Sequence, residues 1–351
     1  MSSTATILLA PLGALYSAAT RARLSLYRAG ALKVYDLGAP TISVGNITAG
    51  GTGKTPMVEW VARVLADEGL RVCILTRGYA RADVRKRVVV SDSERVLASA
   101  REGGDEPRML AEKLKGKAAV ISDRDRVDAG LWAKENFHSD AFILDDGFQH
   151  LRVARNLNIV IVDATNPWGG GKLLPRGRLR EPKRGLARAD CVIITRADQT
   201  SNLDALREEI KILSGSKPDF ISRTETAGLK TLLDEEDESD ASAAAVAQPV
   251  GAFCAIGNPR QFFSQIEVEG YQLAFTRSFP DHHFYSQRDI DALVNEARSS
   301  GALSLITTAK DAVKLNELSF DLPCFVLEIE MRFEDEDGIL KMILRAMMKS
   351  K

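Results

Sequence analysis

Seven consecutive residues, Gly50, Gly51, Thr52, Gly53, Lys54, Thr55 and Pro56, carry the densest chemistry in the chain. A β-rich run at 41–44 precedes them, and an amphipathic helical stretch to about residue 68 follows. Strand, glycine loop and helix start, in that order, make a cradle for phosphate. The glycines let backbone N–H groups turn inward, and the helix start adds unpaired donors and a positive dipole end. In such a loop Lys54 reaches the β- and γ-phosphates, and the Thr55 hydroxyl ligates Mg²⁺. The strict spacing wants a glycine five places before Gly53, where this chain has Thr48.

Acidic residues supply the complementary chemistry. The apolar run Ile143-Leu144 ends in Asp145 and Asp146, as expected of a strand that holds Mg²⁺ opposite a phosphate loop. Gly147-Phe-Gln-His150 continues it, and His150 reads either as a ligand or catalytic group or as a hydrogen-bonded structural histidine. In Gly104-Asp-Glu-Pro107 the proline suits a first helical turn. Asp105 and Glu106 then polarise an acceptor hydroxyl, hold metal, or simply begin a helix. Asp281, His282 and His283 stand together far downstream. Adjacent histidines seldom face one metal, so an Asp–His pair for proton transfer is the functional reading and a structural turn the other. Lys310, after an apolar run at 303–307, reaches a cleft or lies on a capped helix. Lys172, Arg176, Arg178, Arg180, Lys183, Arg184 and Arg188 crowd one loop around Glu181. Such a loop suits an anionic partner, a phosphate or a lipid surface; with few aromatics among the bases, single-stranded nucleic acid is not expected.

Alternating elements must position these groups. Strands are expected at 71–76, 87–91, 118–122, 141–144, 158–163 and 191–195, with helices at 126–136 and 203–213, and a second βα series runs from 250 to a final helix at 336. That rhythm predicts an α/β fold: a P-loop NTPase-like α/β/α lobe, a second, smaller α/β lobe, and a cleft between. The expected division is 1–35 as an amphipathic, membrane-associated segment, 36–225 as the nucleotide-binding domain, 226–248 as a mobile acidic insertion or hinge, and 249–351 as the C-terminal domain. At 351 residues the chain is long enough for two cores, and its net charge of −1 gives no general pull toward nucleic acid or membrane. Cys73, Cys191, Cys254 and Cys324 sit apart in apolar runs and read as buried free thiols. Residues 1–20 have no charged side chain, yet Pro11 and Gly13 interrupt an apolar run too short to span a bilayer. Arg21, Arg23 and Arg28 just after it suit a helix lying on an anionic leaflet, against the alternative of a helix packed on its own domain.

Taken in register, Ser43-Val-Gly-Asn46, Gly50 to Pro56, Arg77-Gly-Tyr79, Gly104 to Pro107, Leu144 to His150, Leu174-Pro175 with Leu179-Arg-Glu-Pro182, and Asp281-His282 resemble the tetraacyldisaccharide 4′-kinase family of the lipid A pathway. The resemblance runs from about residue 12 to 330 and includes the shifted glycine spacing. It implies transfer of the γ-phosphoryl of ATP, with Mg²⁺, to the 4′-hydroxyl of an acylated glucosamine disaccharide 1-phosphate, giving lipid IVA for lipopolysaccharide. It implies Lys54 as the phosphate-binding lysine and Thr55 as a metal ligand. Asp105 matches the catalytic aspartate and His282 its partner, while Glu106, Asp145, Asp146 and Glu181 match acidic positions tied to metal or catalysis. Arg77, Gln149, His150 and Arg180 are the acceptor-side candidates. The implied setting is a monomer at the cytoplasmic face of the inner membrane. The alternative class is a P-loop GTPase or ATPase switch of the metal-insertion or targeting type, since Ile194-Thr-Arg-Ala-Asp198 is similar to a guanine-reading motif with Arg196 in place of lysine. An acceptor-free switch has no task for an Asp–His pair.

Overall fold

The computed structural model describes residues 10–79, 81–232 and 246–348, with side chains from residue 13 onward. In chain order the elements are α1 (Ala10–Arg28), β1 (Thr41–Asn46), α2 (Lys54–Asp67), β2 (Val72–Thr76), β3 (Val88–Asp92), α3 (Ala100–Gly103), α4 (Asp105–Lys113), β4 (Ala118–Ser122), α5 (Arg126–Asn136), β5 (Ala141–Asp145), β6 (Leu157–Asp163), β7 (Cys191–Thr195), α6 (Leu203–Ser214) and β8 (Asp219–Thr231). They continue with β9 (Val250–Cys254), α7 (Pro259–Val268), β10 (Leu273–Ser278), α8 (Gln287–Ser300), β11 (Ser304–Thr308), α9 (Ala309–Ala312), β12 (Cys324–Phe333) and α10 (Glu336–Met348).

The strands form one sheet, ordered β10-β9-β11-β12-β8-β7-β6-β1-β5-β2-β4-β3. Strands β1, β2, β5, β6 and β7 are buried along their whole length, which is why they read as continuous apolar runs and not as alternating ones. On one face Met57, Val58, Val61 and Leu65 of α2 pack with Leu110 and Leu114. On the other, Leu75, Phe142 and Leu144 meet Val127, Ala129 and Ala133 of α5. Phe253, Ile290, Leu293 and Leu305 centre a separate core in the second half.

Two boundaries differ from expectation. Residues 226–231, expected in an insertion, lie in β8, which pairs antiparallel with β12 from Ser222↔Phe333 to Thr231↔Phe325. Its opposite edge pairs with β7 at Asp219–Ser222, so β8 joins the two halves by strand pairing. The acidic residues 234–245 lie outside the described residues. The final helix α10 returns to the first half, where Ile339 and Ile343 share the core of α2 and Phe333 meets Trp60 with ring centroids 4.7 Å apart. The polypeptide thus crosses twice between the halves.

The four cysteines are free and buried. No described helix is long and apolar enough to cross a membrane.

Candidate active site

The phosphate loop connects β1 to α2. Helix α2 opens at Lys54, two residues earlier than expected, and Pro56 falls in the first turn, where no N–H is needed. Gly53 precedes it with φ of 88° and Gly50 has φ of 124°, conformations that a side chain resists. Where the strict pattern has glycine, Thr48 is buried and bridges to Leu179, while the Ala49 N–H donates to the Arg178 carbonyl at 2.7 Å. The basic loop thus braces the phosphate loop from outside. From inside, Asn46 Nδ2 donates to Thr52 Oγ1 at 2.8 Å and Thr195 Oγ1 to the Thr52 carbonyl at 3.2 Å.

Strand β5 delivers its two carboxylates beside this loop. Asp145 Oδ2 accepts from Thr76 Oγ1 at 2.9 Å, and Arg126 donates to the Asp145 carbonyl at 3.1 Å. Burial, then Glu106 and Asp146, push the Asp145 carboxyl up to about 6. Asp146, at φ of 50°, lies between Arg180 at 2.5 Å and Lys54 at 3.7 Å. Burial disfavours its charge, but Lys54 and Arg180 outweigh burial and hold it below the usual carboxylate range.

The remaining acidic candidates have cations of their own. Glu106 lies 3.3 Å from Lys310. Glu181 is fully buried, 2.7 Å from Arg188 and 2.7 Å from Gln149 Nε2. It is not among the residues lining the cleft, and its pair with Arg188 anchors the basic loop. Gln149 also donates to the Asn46 carbonyl at 2.8 Å. Burial and then Arg126 and Arg155 pull His150 down to about 3. Neither Gln149 nor His150, both expected on the acceptor side, lines the cleft. Arg77 and Arg180 do line it. No group of three or more His, Cys, Asp or Glu with metal-binding geometry occurs among the described residues.

Elsewhere on the cleft wall a residue of the first half meets one of the second. Gly104, at φ of 102°, lets α3 turn sharply into α4, whose first residue is Asp105. Its Oδ2 receives His282 Nδ1 at 2.8 Å, and its Oδ1 accepts the Glu106 N–H at 2.9 Å. The loop after β10 carries His282 at φ of 63°. This hydrogen bond raises the imidazole pKa above its ordinary value, against the effect of burial. For Asp105, burial favours the neutral acid, but His282 and Lys310 outweigh it and keep the carboxyl low. Asp105 is 3% exposed and His282 29%, so the histidine is the member that faces the cleft. His283 turns away, stacking on Phe279 with centroids 4.8 Å apart and meeting Asp289 at 3.3 Å. The two adjacent histidines therefore do not converge on one point.

All of this surrounds one cleft of about 570 Å³, from the phosphate loop to His282 and Lys310. Of the basic cluster, only Arg178 and Arg180 reach it; Lys183 pairs with Glu209 at 2.8 Å. Sequence reasoning missed Arg126, buried behind the Asp145 backbone; nothing in its local motif signals that role.

The family model described as LpxK, tetraacyldisaccharide-1-P 4′-kinase, matches residues 5–348. A tetraacyldisaccharide 4′-kinase from Geobacter metallireducens is 44% identical over 308 residues, 88% of each chain. One from Chlorobium phaeovibrioides is 39% identical, with 97% of each chain covered. A crystal structure of LpxK from Aquifex aeolicus in complex with ATP superposes with a TM-score of 0.78 at 32% identity, covering 97% of this chain and 99% of that one. These matches favour the kinase over the acceptor-free switch: the chain belongs to the tetraacyldisaccharide 4′-kinase family.

Proposed function

We propose that this cleft transfers the γ-phosphoryl of ATP to the 4′-hydroxyl of a tetraacylated glucosamine disaccharide 1-phosphate. The observation that carries this reading is the 2.8 Å contact between Asp105 and His282, in the same cleft as the phosphate loop. A sugar hydroxyl is a weak nucleophile at neutral pH, so a proton acceptor beside it lowers the barrier. Asp105 fixes the imidazole with Nδ1–H pointing inward, leaving Nε2 for the cleft, and the pair takes the hydroxyl proton as one unit. On the other wall Lys54 and the loop amides of Gly51 to Thr55 neutralise charge on the nucleotide, which is most of what phosphoryl transfer needs. The two members of the base pair are already in hydrogen-bond contact.

The donors near Lys54 fit a divalent cation. Asp146 Oδ1 is buried without a hydrogen-bond donor, with Lys54 Nζ 3.7 Å away, and Asp145, lifted by burial and then by Glu106 and Asp146, would be eased by added positive charge. Thr55, Asp145 and Asp146 would hold Mg²⁺. When bound, it would supply Lewis-acid neutralisation of phosphate charge.

The same proposal puts the protein at the cytoplasmic face of the inner membrane, and features of α1 support it. Leu15 and Leu26 are exposed, the arginines at 21, 23 and 28 are exposed beside them, and Tyr16 donates to the Arg180 carbonyl at 2.8 Å. A helix lying on an anionic leaflet would bring the acceptor's headgroup to the basic loop. The test of the whole reading is transfer of label from γ-labelled ATP to a detergent-solubilised acylated disaccharide 1-phosphate. Label in the lipid fraction is expected; its absence under Mg²⁺ with intact protein would overturn it.

A further inference from the structure

The proposal below rests on the kinase reading and concerns a residue that reading leaves unused. Lys310 projects from the short helix α9, which Thr308 caps through Asp311. Its ammonium lies 3.1 Å from Asp281, 3.3 Å from Glu106 and 3.7 Å from Asp105, and its side chain is 15% exposed at the cleft wall. Asp105 and Glu106 start α4 in the first half, while Asp281 and Lys310 belong to the second. Three carboxylates from both sides of the cleft thus converge on one cation. Without it they repel one another, and only the partly exposed Glu106 and Asp281 have water to screen them, while Asp105 is buried. The buried member of the three is Asp105, whose Oδ2 also receives His282, so repulsion left uncompensated there bears on the pair.

We propose that Lys310 is a positioning residue for phosphoryl transfer: its ammonium clamps Asp105, Glu106 and Asp281 together across the cleft and so holds the Asp105–His282 pair in register with the acceptor hydroxyl. The role is electrostatic and geometric, and it needs a cation of suitable reach at this one point. It differs from that of Lys54, which pairs with Asp146 and belongs to the phosphate loop.

Steady-state and single-turnover kinetics of Lys310→Met, Lys310→Arg and Lys310→Ala test this, together with binding of a fluorescent ATP analogue. Lys310→Met should lower kcat at least roughly tenfold and leave nucleotide affinity within about twofold, since general acid–base groups contribute on the order of 10²–10⁴ and depend on placement. Lys310→Arg should recover much of the loss. Ethylammonium or propylammonium should restore turnover to Lys310→Ala in a saturable way, which no merely structural role provides. Lys310→Met added to Asp105→Asn should cost little more than Asp105→Asn alone, because both act through one carboxylate. Turnover within about twofold of the parent in Lys310→Met, with Lys54→Ala and Asp105→Asn both impaired, would overturn the clamp while leaving the kinase reading intact. Losses that multiply, or absence of both arginine and amine rescue, would overturn it too. Normal turnover in all of these variants would remove the kinase reading and the clamp with it.

Discussion

Asp105 and His282 lie 177 residues apart in sequence and 2.8 Å apart in the structure, and their proposed action as one unit has a quantitative signature. Replacing either by alanine removes the proton acceptor or its orientation. General acid–base assistance is typically worth about 10²–10⁴ in rate, or about 3–5 kcal/mol at roughly 1.4 kcal/mol per tenfold. The bond between them is charge-assisted and, on the Asp105 side, almost wholly withdrawn from water, so it is worth about 1.5–3 kcal/mol by itself. Independent residues each losing about 10³ would lose about 10⁶ together. A unit loses about 10³ in the double variant, a coupling of about 4 kcal/mol. Neither alanine should disturb the nucleotide. Lys310 keeps Glu106 and Asp281 when Asp105 is gone, and the phosphate loop is held by Asn46, Thr195 and the backbone of Arg178. The assay is single-turnover transfer from γ-labelled ATP to the acylated acceptor at saturating nucleotide, with nucleotide affinity measured in parallel for all three variants. Losses that multiply, at unchanged nucleotide affinity, would refute the pairing and give the two residues separate tasks.

Other consequences follow from the same geometry. Glu181→Gln should lower folding stability by about 1–3 kcal/mol in urea melts, because the half-buried Arg188 loses its counter-charge; a lost Mg²⁺ requirement with unchanged stability would assign Glu181 to the metal instead. The hydrogen bond from His282 to Asp105 raises the histidine pKa and, despite burial, Asp105 is held low. Its stabilising effect is therefore full below the unfolded histidine value of about 6.5 and fades as pH rises through the raised folded value; on the acid side it fades as pH falls from about 3.9 through the depressed Asp105 value. The difference in urea midpoint between the parent and His282→Ala should accordingly be largest between about pH 4 and 6.5, and a difference independent of pH from 4 to 9 would contradict the pair. Removing residues 5–28 should release the protein from anionic vesicles while nucleotide binding survives; unchanged sedimentation would make α1 a packed helix only.

How much of this was legible beforehand depends on how local each determinant is. Strands β1, β2, β5, β6 and β7 were readable because burial on both faces makes them apolar throughout, and the phosphate loop because its glycines, Lys54 and Thr55 are contiguous. Strand β8 was not readable: beyond Ser222 most of its residues are exposed or half-buried, and its polar Arg223-Thr-Glu-Thr226 stretch is fixed by partners on β12 about 100 residues on. The return of α10 to α2 is likewise non-local, since an amphipathic helix does not declare which core it will cover. At the site, residue types were visible but partners were not. Glu181 looked like its acidic neighbours until Arg188 and Gln149 were seen to enclose it. Lys310 looked equally like a cap residue until three carboxylates converged on it. His282 and His283 differ by one position in sequence, and only the backbone turn at His282 sends one to Asp105 and the other to Phe279.

The central claim is that ATP is consumed by transfer to a hydroxyl that the Asp105–His282 pair deprotonates, and not by free hydrolysis. Its most direct test is the stoichiometry of ADP formed to phosphorylated lipid produced, measured with and without the acylated disaccharide 1-phosphate. The account predicts a one-to-one ratio with acceptor present and little ADP without it. Comparable ADP formation in the absence of acceptor would contradict it.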